Sequence, residues 1–245
     1  MSDMPKNHDL STVEIENIDS SDIDFDFSNI QDYPKSSVTE DYQSINPFKT
    51  FSQTVDLDLN KLDKAGFITP KYSNTPLSSG FRMIKRPLLN NVAGKGASKV
   101  KNANLIMVTS AVPGEGKTFS AINLAISIAM EKDKRVLLID ADINKPSHYN
   151  LFGIDNRPGL TNLLLNEVKD MGDVLFNTNI PSLSIMSSGE LYQYSTELLA
   201  SESMDNFIHE ISSRYKDRVV IFDSPPLLHT TESSVLATHM GQVVV

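Results

Sequence analysis

The 245-residue chain contains no cysteine and no tryptophan. Without cysteine, disulfides, thiolate metal sites and a cysteine nucleophile are all excluded, which fits a reducing cytoplasm. No apolar run approaches the ~20 residues needed to span a bilayer. The first residues, Met1 to Asp9, have neither the basic start nor the apolar core of a secretory signal. No internal repeat is visible. Aromatic residues are sparse at 7%, yet a hydrophobic content of 40% suffices for a sizeable core. Positive charge is scarce at the N-terminus, where residues 1–60 hold 13 acidic side chains against 3 basic ones. That imbalance accounts for the whole net charge of −9, so the remainder is close to neutral. An acidic stretch disfavours nucleic acid or anionic lipid as its direct partner.

What is present divides into three parts. Residues 1–54, rich in Ser, Asp, Asn and Ile without helical period, read as a disordered acidic tail. Within it, Ser20 to Phe27 alternates acid with apolar residues, a pattern a docking motif would also show. Residues 55–101 read as a helical and linker segment: a short helix or strand from Val55, then a basic helix over Gly80–Leu89 that Pro87 kinks or stops. From residue 102 to 245 strands and helices alternate. Strands are predicted at Leu105–Val108, Arg135–Ile139, Leu183–Met186, Val219–Phe222 and from Gln242. Helices are predicted at Thr118–Met130, from Pro158-Gly159-Leu160 to Leu165, at Glu197–Tyr215 and at Glu232–Met240. Such alternation implies an α/β, doubly wound, mostly parallel sheet with helices on both faces. Ligands of such sheets bind at the carboxyl ends of strands.

The stretch Leu105–Phe119 carries the strongest signal. An apolar strand breaks into Pro113-Gly114-Glu115-Gly116 and restarts as a helix at Lys117-Thr118-Phe119. A glycine turn feeding a helix N-terminus aims N–H groups and the positive end of the helix dipole at phosphate oxygens. Lys117 can then reach the β- and γ-phosphates, and the Thr118 hydroxyl can ligate Mg²⁺. The usual spacing wants glycine where this chain has Ala111, and a bare strand–turn–helix corner is the plainer alternative. Two further strand exits argue against that. Asp140 and Asp142 follow the second strand, and Asp223 follows the fourth, supplying the hard oxygen donors that nucleotide-bound Mg²⁺ prefers. Phosphoryl transfer is mostly positioning and charge neutralisation, so this set suffices for it. Asp140 is the candidate base for the incoming hydroxyl, while Asp142 and Asp223 hold Mg²⁺. His148, His229 and His239 lack metal-ligand spacing and read as surface or supporting residues.

Ser110 to Thr118, Leu137-Leu138-Ile139-Asp140-Ala141-Asp142 and Ile221-Phe222-Asp223-Ser224-Pro225-Pro226 together resemble the three nucleotide motifs of bacterial tyrosine kinases. These are the cytoplasmic kinases of capsular and exopolysaccharide export. Pro158-Gly159-Leu160 and Glu197 to Glu202 resemble that family's connecting segments. Phe81 to Leu89, with Asn104 to Thr118, resembles its exosortase-associated autokinase subgroup. The resemblance covers about 55–245. It implies a P-loop NTPase fold, ATP and Mg²⁺ as cofactors, and Lys117 and Thr118 as phosphate and metal contacts. It also makes Asp140, Asp142 and Asp223 the catalytic carboxylates. The implied reaction is γ-phosphate transfer to tyrosines of a neighbouring subunit in a homo-oligomer. The implied partner is a membrane chain-length determinant protein whose cytoplasmic segment activates the kinase. The chain itself would be cytoplasmic and peripheral at the inner membrane.

Three departures stand out. The second motif usually continues Asp-x-Asp-x-Arg, but Asn144 and then Lys145 stand here. The family's ring-forming Glu-x-x-Arg-x-x-Arg helix is matched by Ser79, Arg82 and Lys85. The seven tyrosines are scattered (Tyr33, Tyr42, Tyr72, Tyr149, Tyr192, Tyr194, Tyr215) rather than clustered at the C-terminus. Because Val245 falls inside a predicted strand, a truncated reading frame is expected. Two rivals follow. A partitioning-type ATPase would need a lysine where Val112 stands. A nucleotide-bound regulatory subunit of the export machinery, without transfer activity, would suit Asn144 and the missing tyrosines. A small-molecule kinase lacks any recognisable substrate lid.

Overall fold

The computed structural model describes residues 53–72, 74–146, 151–154, 157–214 and 217–245. The acidic tail as far as residue 52 lies outside the described residues, as do His148, Tyr149 and Tyr215. Seven strands form one sheet in the order β1-β4-β5-β3-β6-β2-β7. They are β1 (Thr54–Val55), β2 (Leu105–Val108), β3 (Arg135–Asp140), β4 (Phe176–Thr178), β5 (Leu183–Met186), β6 (Arg218–Asp223) and β7 (Gln242–Val244). From β5 to β7 every neighbouring pair is parallel, whereas β4 runs antiparallel to β5 and carries β1 parallel to itself. The central strands β2 and β6 are buried along their whole length because both faces are covered, and their middle residues are apolar.

Alternation along each strand divides the interior into two cores. Ile106, Val108, Val219 and Ile221 face one. Leu105, Met107, Val220 and Phe222 face the other. The first core is roofed by α2 (Pro76–Val92) and α3 (Lys117–Ala129), and it takes in Val55 of β1, Leu62 of α1 (Leu59–Lys64) and Leu57 from the link between them. The second is covered by α4 (Leu160–Leu164), α5 (Ser195–Leu199), α6 (Glu202–Arg214) and α7 (Glu232–Ala237). The expected doubly wound, mostly parallel sheet is therefore present.

Several expectations need correction. The basic helix is longer than Gly80–Leu89 and does not stop at Pro87, which lies inside α2. Thr75 caps its start, accepting the Ser78 N–H at 3.1 Å, and Pro76 occupies the first turn, where a missing N–H costs nothing. The single long helix over Glu197–Tyr215 is two helices broken at Ala200-Ser201, where Ser201 Oγ accepts the Met204 N–H and starts the second. The last helix ends at Ala237 rather than Met240, passing into a turn held by Thr238 and His239 N–H bonds. Finally, α3 is buried on nearly every side from Ala121 to Ala129 instead of along one stripe, because α2 packs on its outer face. Its polar Asn123 is satisfied there, donating to the Phe119 carbonyl at 2.8 Å and accepting the Ile68 N–H at 2.7 Å.

Candidate nucleotide site

The strand register builds the site before any side chain is considered. Val108, the last residue of β2, pairs with Asp223, and Asp223 pairs with Asp140, the last residue of β3. Hydrogen bonds continue the zipper past the strand ends. Ala141 N–H donates to the Asp223 carbonyl at 2.8 Å, and Ser224 N–H donates to the Val108 carbonyl at 3.1 Å. The Asp-Ser-Pro-Pro turn is then sewn to the glycine loop, with Leu227 N–H donating to the Ser110 carbonyl and Leu228 N–H to the Ala111 carbonyl. Thr109 Oγ1 and Ser233 Oγ both donate to the Pro225 carbonyl. The three segments singled out in the sequence are thus one bonded unit.

The loop has the backbone that its glycines permit. Gly114 sits at φ +88° and Gly116 at φ +92°, and a Cβ at either would project into open space. An L side chain is strained at such angles, so glycine belongs at both. Gly116 is the residue at which α3 begins, leaving the N–H groups of the helix's first turn pointed at the cradle. Glu115 folds back so that its carboxylate accepts the Val112 N–H at 2.9 Å, holding the exposed Pro113 corner in shape. Thr118 lies half-buried in the first turn. Phe119 packs against Phe67, ring centroids 5.0 Å apart and planes tilted by 43°.

Lys117 Nζ lies 3.7 Å from Asp142 Oδ2. Asp140, Asp142 and Asp223 are all buried. Asp140 accepts the Asp142 N–H at 3.2 Å, and Asp142 accepts the Lys145 N–H at 3.1 Å. The Asp142 carboxyl is pushed up to about 6, chiefly by burial; Lys117 opposes the shift while Asp140 and Asp223 add to it. Three carboxylates at one set of strand ends, one lysine among them, form an excess of negative charge that a divalent cation would relieve. Their hard oxygens and the Thr118 hydroxyl fit Mg²⁺. Among the described residues no group of three or more His, Asp or Glu could hold a metal ion unaided, so phosphate oxygens and waters would complete the shell.

Two cavities meet at Lys117. One, of about 410 Å³, runs beneath the loop toward Phe81 and Ile84 of α2. The other, of about 450 Å³, opens between the loop, the Asp142–Pro146 segment and the Pro225–Glu232 segment. Sequence reasoning missed much of this second wall. His229 lines it, and so does Glu232, a buried carboxylate whose Oε1 accepts Asn144 Nδ2 at 2.6 Å and the Ser195 hydroxyl. Asn144 Nδ2 also meets Ser195 Oγ at 2.8 Å. Asn144, noted only as a departure from a motif, is thus the joint of this wall. His239 lies apart, 3.5 Å from Asp205. Lys85, matched to a ring-forming arginine, is turned inward onto the Ser127 carbonyl and Glu131 Oε1, the latter at 2.8 Å. Of the tyrosines, Tyr192 and Tyr194 are described with their side chains, stacked edge to face at 6.0 Å.

Comparison with known proteins places this geometry in a family. The AAA domain model matches residues 103–245. Tyrosine-protein kinase YwqD of Bacillus subtilis is 38% identical over 140 residues, which is 57% of this chain and 57% of that protein. Tyrosine-protein kinase ptk of Acinetobacter johnsonii is 37% identical over 138 residues, 56% of this chain and 18% of that protein. The solved VpsO kinase domain matches with a TM-score of 0.53 at 30% identity, over 69% of this chain and 82% of that one. The chimerical protein CapA2B2 matches with a TM-score of 0.62 at 28% identity, over 78% of each. The chain therefore spans about half, or in other cases under a fifth, of the length of the curated relatives it matches. Among the described residues no helix is long and apolar enough to cross a membrane.

Proposed function

Because the chain belongs to the AAA domain family, and within it to the bacterial tyrosine kinases, we propose that it transfers the γ-phosphate of ATP to tyrosine. The observation that supports this reading is the convergence of Asp140, Asp142 and Asp223 with Lys117 beside an open glycine cradle. The loop N–H groups and Lys117 hold the phosphates. Thr118, Asp142 and Asp223 would hold Mg²⁺, which would neutralise charge on the phosphate oxygens. In the step itself the phenolic oxygen bonds to the γ-phosphorus and the bond to the β–γ bridging oxygen breaks. ADP leaves with that electron pair, and the phenolic proton passes to Asp140, which the Asp142 N–H keeps in place.

By the same reading the acceptor belongs to a neighbouring copy in a homo-oligomer. The chain works at the inner membrane with a chain-length determinant protein that stimulates it, in exopolysaccharide export. The likeness of Phe81–Leu89 to the exosortase-associated subgroup belongs to this proposal too. One observation favours the second reading, a nucleotide-bound regulator: Asn144 puts a neutral amide where the family motif has arginine. Incubation with Mg·ATP and a Glu–Tyr copolymer separates the two. Phosphotyrosine should appear and should fall by about 10²–10³ in Lys117→Met, the usual cost of deleting a group that stabilises transition-state charge. ATP binding with no phosphotyrosine on chain or copolymer overturns the kinase reading.

A further inference from the structure

The near-neutral total that follows the acidic stretch is a sum of unlike parts. Residues 64–114 hold eight lysines and arginines and no aspartate or glutamate, whereas residues 115–245 hold ten basic side chains against seventeen acidic ones. The acid-free run contains α2 and the link from it to β2. Lys85 is turned inward there, and Glu131, the carboxylate that reaches α2, is paired with it. The other cations of the helix and link, Arg82, Arg86, Lys95, Lys99 and Lys101, are exposed. At physiological ionic strength charges are screened over about 8 Å. A partner beside α2 therefore meets this patch and not the net charge of −9.

The same helix exposes apolar groups among its cations. At the α-helical turn per residue, Arg82, Met83, Arg86 and Pro87 share one side of α2, away from the buried Ser78, Phe81 and Lys85. Met83 is 73% exposed, and Ile84, bordering that side, is 43% exposed. A second copy meeting the face through its own α2 would bring like charges together. The groups of a ring-forming helix are also missing, since Ser79 stands where its carboxylate would and Lys85 is buried. A patterned acidic protein is best matched by arginine forks, but three of the five exposed cations are lysines spread along a glycine-containing link. Point charges around an exposed methionine suit a diffuse field of headgroups with an apolar layer beneath it. We propose that the outer side of α2 and the 93–104 link dock the chain on an anionic phospholipid surface, with Met83 entering the headgroup layer. The contact is peripheral, because α2 stays packed on α3 and among the described residues no helix is long and apolar enough to cross a membrane. The link enters β2 at the end of the sheet opposite the glycine loop, so its lysines can reach headgroups without covering the cradle. This adds a direct lipid contact to the inner-membrane role proposed above and does not depend on phosphoryl transfer.

The test is co-sedimentation of the full chain, without nucleotide, with vesicles of one part phosphatidylglycerol to three parts phosphatidylcholine, and with phosphatidylcholine alone. Binding to the anionic vesicles should be at least about tenfold tighter and should weaken as salt is added. Lys95→Gln, Lys99→Gln and Lys101→Gln combined should lower affinity about a hundredfold, near fivefold for each cation at the surface. Met83→Ser should lower it about fivefold at every salt concentration, because an apolar contact is not screened. Lys169→Gln, on the side that covers the other core, should change nothing. All five side chains are exposed, so melting temperatures should not move. Equal affinity for both vesicles overturns the proposal. So does wild-type affinity in the triple variant, or an equal loss in Lys169→Gln. Binding to poly-glutamate but not to anionic vesicles would assign the face to an acidic protein. An oligomer that ignores lipid and that Met83→Ser disperses would assign it to a second copy. Either result overturns the lipid proposal, whereas absence of phosphotyrosine would sink the kinase reading and leave the docking face standing.

Discussion

The two ends of α3 each hold a buried charge, and the molecule treats them in opposite ways. Near the C-terminal end Lys85 reaches from α2 to the Ser127 carbonyl and to Glu131. That is a cation where the helix dipole favours one, with a carboxylate to match it. Glu131 responds as a paired acid should: its hydrogen bond to Lys85 holds it below the usual carboxylate range. Beside the N-terminal end Asp142 meets Lys117 at a longer 3.7 Å and has Asp140 and Asp223 for neighbours, and its carboxyl rises to about 6. One charge is settled and serves the fold. The other is crowded and waits for something to bind. The difference shows how a buried charge is read: partners that lower its energy indicate structure, and neighbours that raise it indicate a site.

Breaking the settled end should have the largest effect on stability. Lys85→Met removes the donor of the Ser127 carbonyl and strands Glu131, and should cost about 3 kcal/mol in urea denaturation at pH 7. The lower end of the usual range applies because the Glu131 side chain is 38% exposed and can turn to water. The folded Glu131 binds its proton less tightly than the unfolded chain, so its contribution is complete above about 4.5 and is lost as pH falls below that. The gap between variant and wild type should therefore narrow in acid. A gap that widens below pH 4.5 would contradict the pairing.

The crowded end should behave in reverse. Between 3.8 and about 6 the folded protein holds a proton on Asp142 that the unfolded chain has released, so ligand-free stability falls as pH rises across that window. Above it the penalty is complete. Asp142→Asn should stabilise the ligand-free protein by about 2 kcal/mol at pH 7.5 while abolishing transfer. That gain should fade as pH is lowered from 6 toward 4, as thermal melts across the range would show. The smallest effect is expected at the loop. Gly114→Ala meets no neighbouring atom, so only the strain of φ +88° remains, about 1 kcal/mol. Nucleotide affinity should drop further than stability, because a strained loop no longer presents its N–H groups in the geometry that phosphate oxygens need; calorimetric titration with Mg·ADP would measure it.

What the sequence made legible was short-range or periodic. The strand–glycine–helix corner, the aspartates at strand exits and the apolar central strands are local patterns, and the sheet brought them together by simple register. The long-range parts were not legible. Asn144, Ser195 and Glu232 stand far apart in the chain and have no common spacing, so only the folded loops make them neighbours. Strands β1 and β4 are too short to show an alternating pattern. Lys85 read as one cation of a basic helix, because sequence cannot say that α2 turns that lysine inward to α3. The helix split at Ser201 was hidden by good helix formers on both sides.

The register that joins Val108, Asp223 and Asp140 also bears on how the chain reaches its folded state. These residues come from strands widely separated in sequence, so their meeting is a high-contact-order event that belongs late in folding. A nucleotide pocket assembled from them has little existence in the transition state. Mg·ATP should then leave the refolding rate almost unchanged and slow unfolding instead, acting as a latch on the finished sheet.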